Sequence, residues 1–428
     1  MNQPSQALDG SHRAAAALPP LKILYLNPSG SLGGAERSLL DMIASLRAAR
    51  PEWQLSLIAG EDGALVRGVR ALGATAAVLP LPRSLARLGD AGAGGPAGIQ
   101  VGRLALVASM ANAALATRRY VRSMARAINE AGPTVIHTNG FKMHLIAAQA
   151  AGGRIPIIWH VHDYVSSRPV MVRLMRLGSR RCAMAIANSR GVQADLEASC
   201  PNRLAVATVY NAVDLGYFSP RGPIADLDAL AGIAPAPAAT VRIGLVATLA
   251  RWKGHELFLR ALAALPPEMP VRGYVIGDAI YSTHGSQWSI PELRATAERL
   301  GVAERTGFCG FVEDVAAAIR ALDVMVHAST EREPFGLAIA EAMACGKPVI
   351  ASRASGAAEI VGAATGVLSY RPGDVAELAE RIGELVRDRD ERARLGGLGR
   401  AAAERLFTRS RLASELITIY ERVQSIPI

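Results

Sequence analysis

Cysteine, lysine and aromatic residues are scarce in this chain of 428 residues, which has 4 cysteines and only 5% aromatic side chains. The cysteines, Cys182, Cys200, Cys309 and Cys345, lie far apart and form no C-x-x-C pair. This spacing argues against a cysteine metal cluster and is typical of reduced thiols in a cytoplasmic protein. The shortage of aromatic residues, without zinc-finger spacing or a basic low-complexity tail, argues against nucleic-acid binding.

A long hydrophobic run is also missing. The apolar stretch 104–117 is shorter than the roughly 20 residues that a membrane span requires, so we interpret it as a helix packed on a sheet. Residues 1–20 are rich in Ala, Pro and Ser and contain no apolar core of signal-peptide length, which predicts a disordered tail and no secretion. The formal net charge of +10 indicates anionic partners, such as anionic lipid or phosphorylated substrates.

Apolar, β-branched runs alternate with helical periodicity along the chain, a pattern that predicts parallel α/β units. They fall into two sets on either side of 218–240, a segment rich in Pro, Ala and Gly that we interpret as a linker. We predict two doubly wound, Rossmann-like domains, 21–217 and 241–405, that face a central cleft. Apolar residues at helical spacing in 406–428 predict a helix that folds back onto the first domain. The predicted strands are 21–26, 55–58, 134–137, 155–160, 184–187 and 205–209, then 241–246, 272–276, 324–327 and 348–351.

The most informative stretch is 323–359, which reads as a strand, a turn and a helix with Pro334 in its first turn. The free amides at the start of such a helix form a phosphate site at the carboxyl end of the strand. Glu333 precedes the helix and Glu341 lies two turns inside it, so we predict that both accept hydrogen bonds from sugar hydroxyls. The amides expected at the phosphate belong to Phe335, Gly336 and Leu337.

The segment Glu333-Pro-Phe-Gly-Leu-Ala-Ile-Ala-Glu341 resembles the E-x7-E motif of the large retaining glycosyltransferase family 4, the group 1 glycosyl transferases. The flank 342–360 continues the resemblance, which covers roughly 21–425. It implies the GT-B fold and a nucleotide-diphosphate sugar donor. It also implies that Glu333 lies against the donor sugar and that Glu341 binds the nucleotide ribose.

A second family element, G-R-L-x-x-x-K-G, is similar to the segment 247–254. The resemblance implies that Lys253 contacts the donor diphosphate, where a cation offsets charge on the leaving group. Thr248 stands where the family has an arginine, so part of the expected clamp is missing. Arg251 is the candidate that compensates, and an ordinary surface arginine is the alternative. The loop that ends at Phe311 resembles a nucleotide-side loop, with the backbone near Phe311 as a base contact.

Two features of the first half also resemble the family. Gly33 and Gly34, after the opening strand, are similar to its N-terminal Gly-Gly loop, and their G-x-x-G-G spacing does not fit a dinucleotide fingerprint. His162, at the end of a strand, resembles its cleft histidine near the donor sugar. His160 and Asp163 are interpreted as strand-end polar groups, and a metal site built from the three side chains is the rival interpretation.

These features predict a retaining, metal-independent glycosyltransferase that uses no cofactor. Its partners would be a nucleotide sugar and a saccharide or lipid-linked saccharide acceptor, in cell-surface or exopolysaccharide glycan assembly. A nucleotide-sugar epimerase of the same architecture is one alternative, and a non-catalytic sugar-nucleotide sensor is another.

Arginines recur at helical spacing in two segments of the first half, so that each set lies on one helical face. With nearby apolar side chains, these faces predict docking on an anionic membrane, so that a cytoplasmic protein would be peripheral on the inner face of the plasma membrane. Solvated faces of a soluble enzyme are the alternative. The residues are Arg118, Arg122, Arg126, Arg173, Arg176 and Arg180, with Leu104, Met110, Leu115, Met171, Leu174, Met175 and Leu177.

Overall fold

A computed structural model describes residues 20–86, 103–201, 204–279, 286–354, 356–363 and 366–425. Within these ranges the chain forms two parallel sheets, one of seven strands and one of six, each covered by helices. The prediction of two α/β domains is confirmed. Of the predicted tail 1–20, residues 1–19 lie outside the described ranges.

The first sheet contains β1 (Lys22–Asn27), β2 (Gln54–Ala59), β3 (Thr75–Val78), β4 (Val135–Asn139), β5 (Ile157–Val161), β6 (Met184–Ala187) and β7 (Val206–Thr208). The second contains β8 (Val241–Val246), β9 (Val271–Ile276), β10 (Thr306–Gly310), β11 (Val324–His327), β12 (Val349–Ser352) and β13 (Val367–Tyr370). The helices of the first half are α1 (Gly34–Ala49), α2 (Ala64–Ala71), α3 (Arg83–Ala86), α4 (Arg103–Ala131), α5 (Phe141–Ala150), α6 (Pro169–Gly178) and α7 (Arg190–Ser199). The remaining helices are α8 (Leu227–Ala231), α9 (His255–Ala263), α10 (Ile290–Arg299), α11 (Val315–Ala321), α12 (Leu337–Ala344), α13 (Gly356–Ala363), α14 (Val375–Arg387), α15 (Arg389–Leu406) and α16 (Arg409–Gln424).

The strand order of each sheet places its ligand crevice. The first sheet runs β3-β2-β1-β4-β5-β6-β7 and the second β10-β9-β8-β11-β12-β13. The order therefore reverses between β1 and β4 and between β8 and β11, and loops that leave the carboxyl ends of these strands diverge to open a crevice. Asn27 and Asn139 end β1 and β4, and His327 ends β11.

Three strands are absent from the sequence prediction: β3, β10 and β13. β3 and β13 are only four residues long and half-buried in part, so their apolar signal is weak. The segment before Phe311 was predicted as a loop, and this prediction is wrong because Thr306–Gly310 pairs with β9. Two of the five residues of that strand are glycines, which hides the strand pattern.

The prediction that 218–240 is a linker is wrong for its central part. Leu227 and Asp228 are buried, and α8 packs against β10 of the second sheet. The Asp228 carboxylate accepts hydrogen bonds from Arg272 at 2.7 Å and from the Tyr274 hydroxyl at 2.6 Å. This segment is therefore part of the second domain, which its Pro-rich composition concealed.

The last helix, α16, packs on α1 and joins the core of the first domain. The Tyr420 hydroxyl lies 2.7 Å from Nδ1 of His137 on β4, and Arg409 lies 2.6 Å from Asp41 on α1. The chain thus crosses to the second domain and returns.

Among the described residues, no helix is long and apolar enough to cross a membrane. The predicted apolar docking surface is partly wrong, because Met175 is fully buried and belongs to the core. Leu174 and Leu177 on α6 and Leu115 on α4 are exposed, and so are the predicted arginines. The side chains of Leu104 and Met110 lie outside the described residues.

Candidate functional site

A cavity of about 680 Å³ lies between the carboxyl edges of the two sheets. We call its two sides the first-domain wall and the second-domain wall. The second-domain wall contains Thr248, Lys253, Asp278, Glu333, the backbone of 335–337 and Glu341. The first-domain wall contains Asn27, Gly33, Gly34, Arg37, Asn139, Lys142, His160, His162, Arg168 and Asn188.

Glu333 occupies the centre of the second-domain wall and is only 5% exposed. Three groups converge on its Oε2: Lys253 Nζ at 2.6 Å, the Ser329 hydroxyl at 2.9 Å and His327 Nε2 at 3.0 Å. Burial raises the pKa of this carboxyl, but the Lys253 ammonium and the His327 ring more than offset it and hold the pKa below its ordinary value. Glu333 is therefore ionised, and Oε2 is fully engaged.

The turn before α9 fixes the position of Lys253. Gly254 has a φ of 77°, and a Cβ at this position would lie 1.9 Å from the carbonyl oxygen of Ala328. Only glycine allows the turn to approach the end of β11 this closely. The ammonium group of Lys253 consequently reaches the Glu333 loop.

The helix after Glu333 begins later than predicted. α12 starts at Leu337 with Gly336, φ 90°, as its N-cap, so Pro334 precedes the helix and Glu341 lies about one turn inside it. The first amides of an α-helix have no intrahelical acceptor, and Gly336, Leu337 and Ala338 at the start of α12 line the cavity. The Phe335 side chain is buried against Tyr210 and Phe407, so Phe335 offers only its backbone to a ligand.

Glu341 lies deeper in the cavity and is 6% exposed. Its nearest charged partner is Arg37 of the first-domain wall, with Nη1 3.9 Å from Oε1. Burial raises the pKa of Glu341 to about 7, although Arg37 lowers it in part. Near neutral pH this carboxyl can both donate and accept hydrogen bonds, which suits a pair of ribose hydroxyls.

The structure does not bring Arg251, the candidate that would compensate for Thr248, to the cavity. Thr248 lines the cavity, but Arg251 does not. The Arg251 guanidinium lies 3.1 Å from Glu292 and 3.8 Å from the centre of the Trp288 ring, on the outer surface. Arg251 and Lys253 lie on the same 3₁₀ turn, but their side chains contact different groups, Glu292 and Glu333.

The first-domain wall is made largely of uncharged polar groups. His162 Nε2 donates to Oδ1 of Asn139 at 3.1 Å, and its ring lies 4.0 Å from that of His160. Burial lowers the pKa of His162 to about 4 and that of His160 well below its usual value. Both rings are therefore neutral at physiological pH.

The rival interpretation of a metal site has no geometric support in the described part of the chain, where no three His, Cys, Asp or Glu side chains are grouped to hold an ion. Asp163 instead lies 2.9 Å from Arg168.

The Gly-Gly loop after β1 begins α1, with Gly33 as its N-cap. Glu36 turns back to accept the Gly33 amide at 3.1 Å and the Asn27 side-chain amide at 3.3 Å. A Cβ on Gly34 would meet no atom within 4 Å, so this glycine leaves open space at the cavity. The loop thus exposes backbone towards the second-domain wall.

Sequence reasoning missed three buried asparagines of the first-domain wall: Asn27, Asn139 and Asn188. One polar atom of each has no hydrogen-bond partner among the described residues: Oδ1 of Asn27 and Asn188, and Nδ2 of Asn139. Each ends a strand or directly follows one, and this position is the feature of the sequence that could have identified them as site residues. It also missed His327 and Ser329, which hold Glu333.

Phe311 follows β10 at the rim of the cavity and is 67% exposed. Its open face allows a base to stack there, although the sequence prediction concerned its backbone.

Contacts between the domains keep the two walls facing each other. Glu359 on α13 accepts the backbone amides of Arg190 and Gly191, at the start of α7, at 2.9 and 2.7 Å. The Tyr210 hydroxyl donates to the same carboxylate at 3.0 Å. Beside this contact, the Tyr164 hydroxyl donates to the Glu333 carbonyl at 3.4 Å.

Comparison with known families assigns each half of the chain. The family model described as Glycosyltransferase Family 4 matches residues 32–217, and the model of the group 1 glycosyl transferases matches residues 240–388. The chain belongs to the group 1, family 4 glycosyl transferases. The resemblance that the E-x7-E segment suggested is thereby confirmed.

Two relatives show how far the similarity to individual glycosyl transferases extends. An N-acetyl-alpha-D-glucosaminyl L-malate synthase from Bacillus anthracis is 26% identical over 280 residues, which cover 64% of this chain and 70% of the relative. A D-inositol 3-phosphate glycosyltransferase from Corynebacterium urealyticum is 29% identical over 249 residues, 56% of this chain. The chain spans 57% of the length of that second relative.

The GT-B fold is shared with solved glycosyl transferases. Anabaena HepE in complex with UDP-glucose has a TM-score of 0.75 and 26% identity, and the match covers 94% of this chain and 100% of HepE. A sucrose-phosphate synthase from Thermosynechococcus elongatus has a TM-score of 0.72 at 20% identity, which shows the fold alone.

Proposed function

We propose that this glycosyltransferase moves a sugar from a nucleotide-diphosphate sugar to an acceptor hydroxyl, with retention of configuration and without a metal ion or other cofactor. The observation that carries this proposal is the second-domain wall, where a lysine, an ionised buried carboxylate and a helix N-terminus meet beside a second acid. The lysine and the helix N-terminus suit a diphosphate, the ionised carboxylate suits the donor sugar, and the second acid suits the ribose.

In the proposed complex the diphosphate lies against the first amides of α12 and Lys253, and Glu341 binds the ribose hydroxyls. As the sugar leaves, the bond between its anomeric carbon and the diphosphate oxygen breaks. The acceptor oxygen bonds to that carbon on the same face, and its proton passes to the departing diphosphate. Lys253 stabilises the negative charge on the diphosphate, and Glu333 stabilises the positive charge on the sugar ring.

The first-domain wall is where we place the acceptor. Its asparagines and neutral histidines offer hydrogen-bond donors and acceptors suited to a saccharide or lipid-linked saccharide, with His162 towards the donor sugar. UDP-glucose, which a HepE structure contains, is the first donor to test. We place the reaction in cell-surface or exopolysaccharide glycan assembly in the cytoplasm.

We also propose that α6 docks this domain on an anionic membrane. Val170, Leu174 and Leu177 are 71%, 40% and 68% exposed and are spaced four and three residues apart, so they form one apolar row. Arg173 and Arg180 are exposed on the same helix and at its end. An apolar row edged by arginines fits an anionic lipid surface, where each arginine contributes about 1 kcal/mol.

Co-sedimentation with vesicles that contain phosphatidylglycerol tests this docking. We expect binding at low salt that is lost at high salt, and that falls at least tenfold when Leu174 and Leu177 are changed to Ser. Binding unaffected by these changes, or absent at low salt, would reject the membrane proposal.

Incubation with UDP-glucose and a panel of saccharides, with EDTA present, tests the transfer itself. We expect a glucosylated product whose anomeric configuration, measured by NMR, matches that of the donor. Isomerised nucleotide sugar without transfer would indicate the epimerase, and binding without turnover would indicate the sensor. Activity that EDTA abolishes and a divalent cation restores would contradict the metal-independent mechanism.

A further inference from the structure

The second-domain wall offers little net positive charge to a diphosphate. Lys253 is neutralised by Glu333 at 2.6 Å. Asp278 also lines this wall, and Glu341 is ionised in part at neutral pH because its pKa is about 7. The N-terminus of α12 adds only about half a unit of positive charge. A diphosphate on this wall would therefore meet at least as much negative as positive charge, so a further cation is required.

In the described part of the chain, the other cations that line the cavity belong to the first-domain wall. They are Lys142, Arg168 and Arg37. Arg168 lies 2.9 Å from Asp163. Arg37 differs because its guanidinium crosses the cavity and reaches within 3.9 Å of Glu341 on the opposite wall. A diphosphate is attached to the ribose in any nucleotide sugar, so a guanidinium beside the proposed ribose acid is also near the proposed position of the phosphates.

The local structure keeps Arg37 in this position. It lies in the first turn of α1, immediately after the Gly-Gly loop, and its amide donates to Gly33 at 3.0 Å. Glu36, its neighbour, is engaged with Gly33 and Asn27 and does not compete for the guanidinium. The Arg37 side chain is one-third exposed and so remains able to move.

We infer that Arg37 supplies the second cation to the donor diphosphate, from the first domain, and that it pairs with Glu341 when no donor is bound. This inference rests on the proposed function. It makes diphosphate binding depend on both walls, because the lysine and the arginine come from different domains. A planar guanidinium suits this task, since it can donate two parallel hydrogen bonds to phosphate oxygens.

The test compares UDP, UMP and uridine binding to wild type and to Arg37→Ala by calorimetry. We expect Arg37→Ala to weaken UDP binding at least tenfold, UMP less, and uridine less than twofold. Arg37→Lys should recover part of the UDP affinity because it keeps the charge. Arg260→Ala is the matched control, since Arg260 lies on the surface of α9 and pairs with Glu256.

A second substitution on the opposite wall can distinguish a contact between Arg37 and the diphosphate from a structural effect of Arg37→Ala. Thr248 lines the same cavity from the second domain, so Thr248→Arg places a cation on the opposite wall. In the Arg37→Ala background this change should restore UDP binding at least fivefold and leave uridine binding unchanged.

Two outcomes would overturn the inference: equal losses for UDP and uridine, or UDP binding unchanged in Arg37→Ala. Either leaves the proposed function standing if wild type binds UDP. Failure of wild type to bind UDP, ADP, GDP, CDP or TDP would instead reject the proposed function, and the role of Arg37 with it.

Discussion

The two walls of the cleft differ in how they stabilise buried polar groups. On the second-domain wall, a buried charged group contacts a half-buried one, since the Glu333 carboxylate lies 2.6 Å from the Lys253 ammonium. On the first-domain wall, the buried floor contains amides and imidazoles that carry no charge at neutral pH, such as Asn139 and His160.

This difference follows from what each wall is proposed to bind. A departing diphosphate creates charge during the reaction, and preorganised charges stabilise such a change better than water does. An acceptor hydroxyl brings no charge, and a buried unpaired charge beside it would cost several kcal/mol. The uncharged floor therefore avoids the free-energy cost of burying a charge. On the second-domain wall, the pairing of opposite charges offsets that cost.

The largest effect that would test this comparison is expected at Glu333. Glu333→Gln keeps the side-chain shape and an oxygen for Ser329 but removes the negative charge. We expect kcat to fall about 100-fold or more, since a preorganised charge at a reacting centre contributes this much. UDP affinity should stay the same or increase, because Lys253 is no longer neutralised. Steady-state kinetics and calorimetry measure the two effects.

Glu331→Gln is the matched control for that variant, because Glu331 is exposed in the same loop. Its kinetics should match wild type. A Glu333→Gln enzyme with wild-type turnover would mean that the charge on this wall does not act in the reaction.

The next effect concerns the ribose. Glu341→Ala removes a hydrogen-bonding carboxyl from the cavity, and hydrogen bonds to charged groups contribute about 1.5 to 3 kcal/mol, or roughly 10- to 100-fold in affinity. We expect UDP binding to weaken by this factor. Wild type should prefer UDP over 2′-deoxy-UDP, and Glu341→Ala should lose that preference. A variant that still discriminates between the two nucleotides would place the ribose elsewhere.

The second-domain wall was more accessible to sequence reasoning than the first. Glu333 and Glu341 lie on one continuous segment, and Lys253 lies in a second short element, so their spacing is visible. Asn27 and Asn139 stand alone at the ends of separate strands, and the reversal of strand order between β1 and β4 brings them together. Pairing across the cleft, such as Arg37 with Glu341, depends on domain packing that no local pattern contains.

The free energy of unfolding should depend on pH in opposite directions through one residue of each wall. The pKa of Glu341 is about 7 in the folded protein and 4.5 in the unfolded chain, so its contribution to the free energy of unfolding falls as the pH rises through this window. The pKa of His162 is about 4 against 6.5, so its contribution falls as the pH drops from 6.5 to 4. Each difference of about 2.5 in pKa corresponds to at most about 3 kcal/mol across its pH window.

Denaturant unfolding of Glu341→Gln and His162→Asn at several pH values measures these contributions. Relative to wild type, Glu341→Gln should gain stability above pH 7, and His162→Asn should gain stability near pH 4. A gain in stability at the same end of the pH range in both variants would contradict the contrast between the walls.

The smallest effect is expected at Arg251, for which the sequence left a diphosphate contact and an ordinary surface position open, and which does not line the cavity. Its guanidinium stacks on Trp288 and pairs with Glu292, both at the surface, where such contacts contribute about 1 kcal/mol or less to stability. We therefore expect Arg251→Ala to leave kcat and the Kd for UDP within twofold of wild type, while Arg37→Ala weakens UDP binding at least tenfold. Equal losses in the two variants would show that Arg251 turns into the cleft when donor binds, and the second-domain wall would then carry both cations itself.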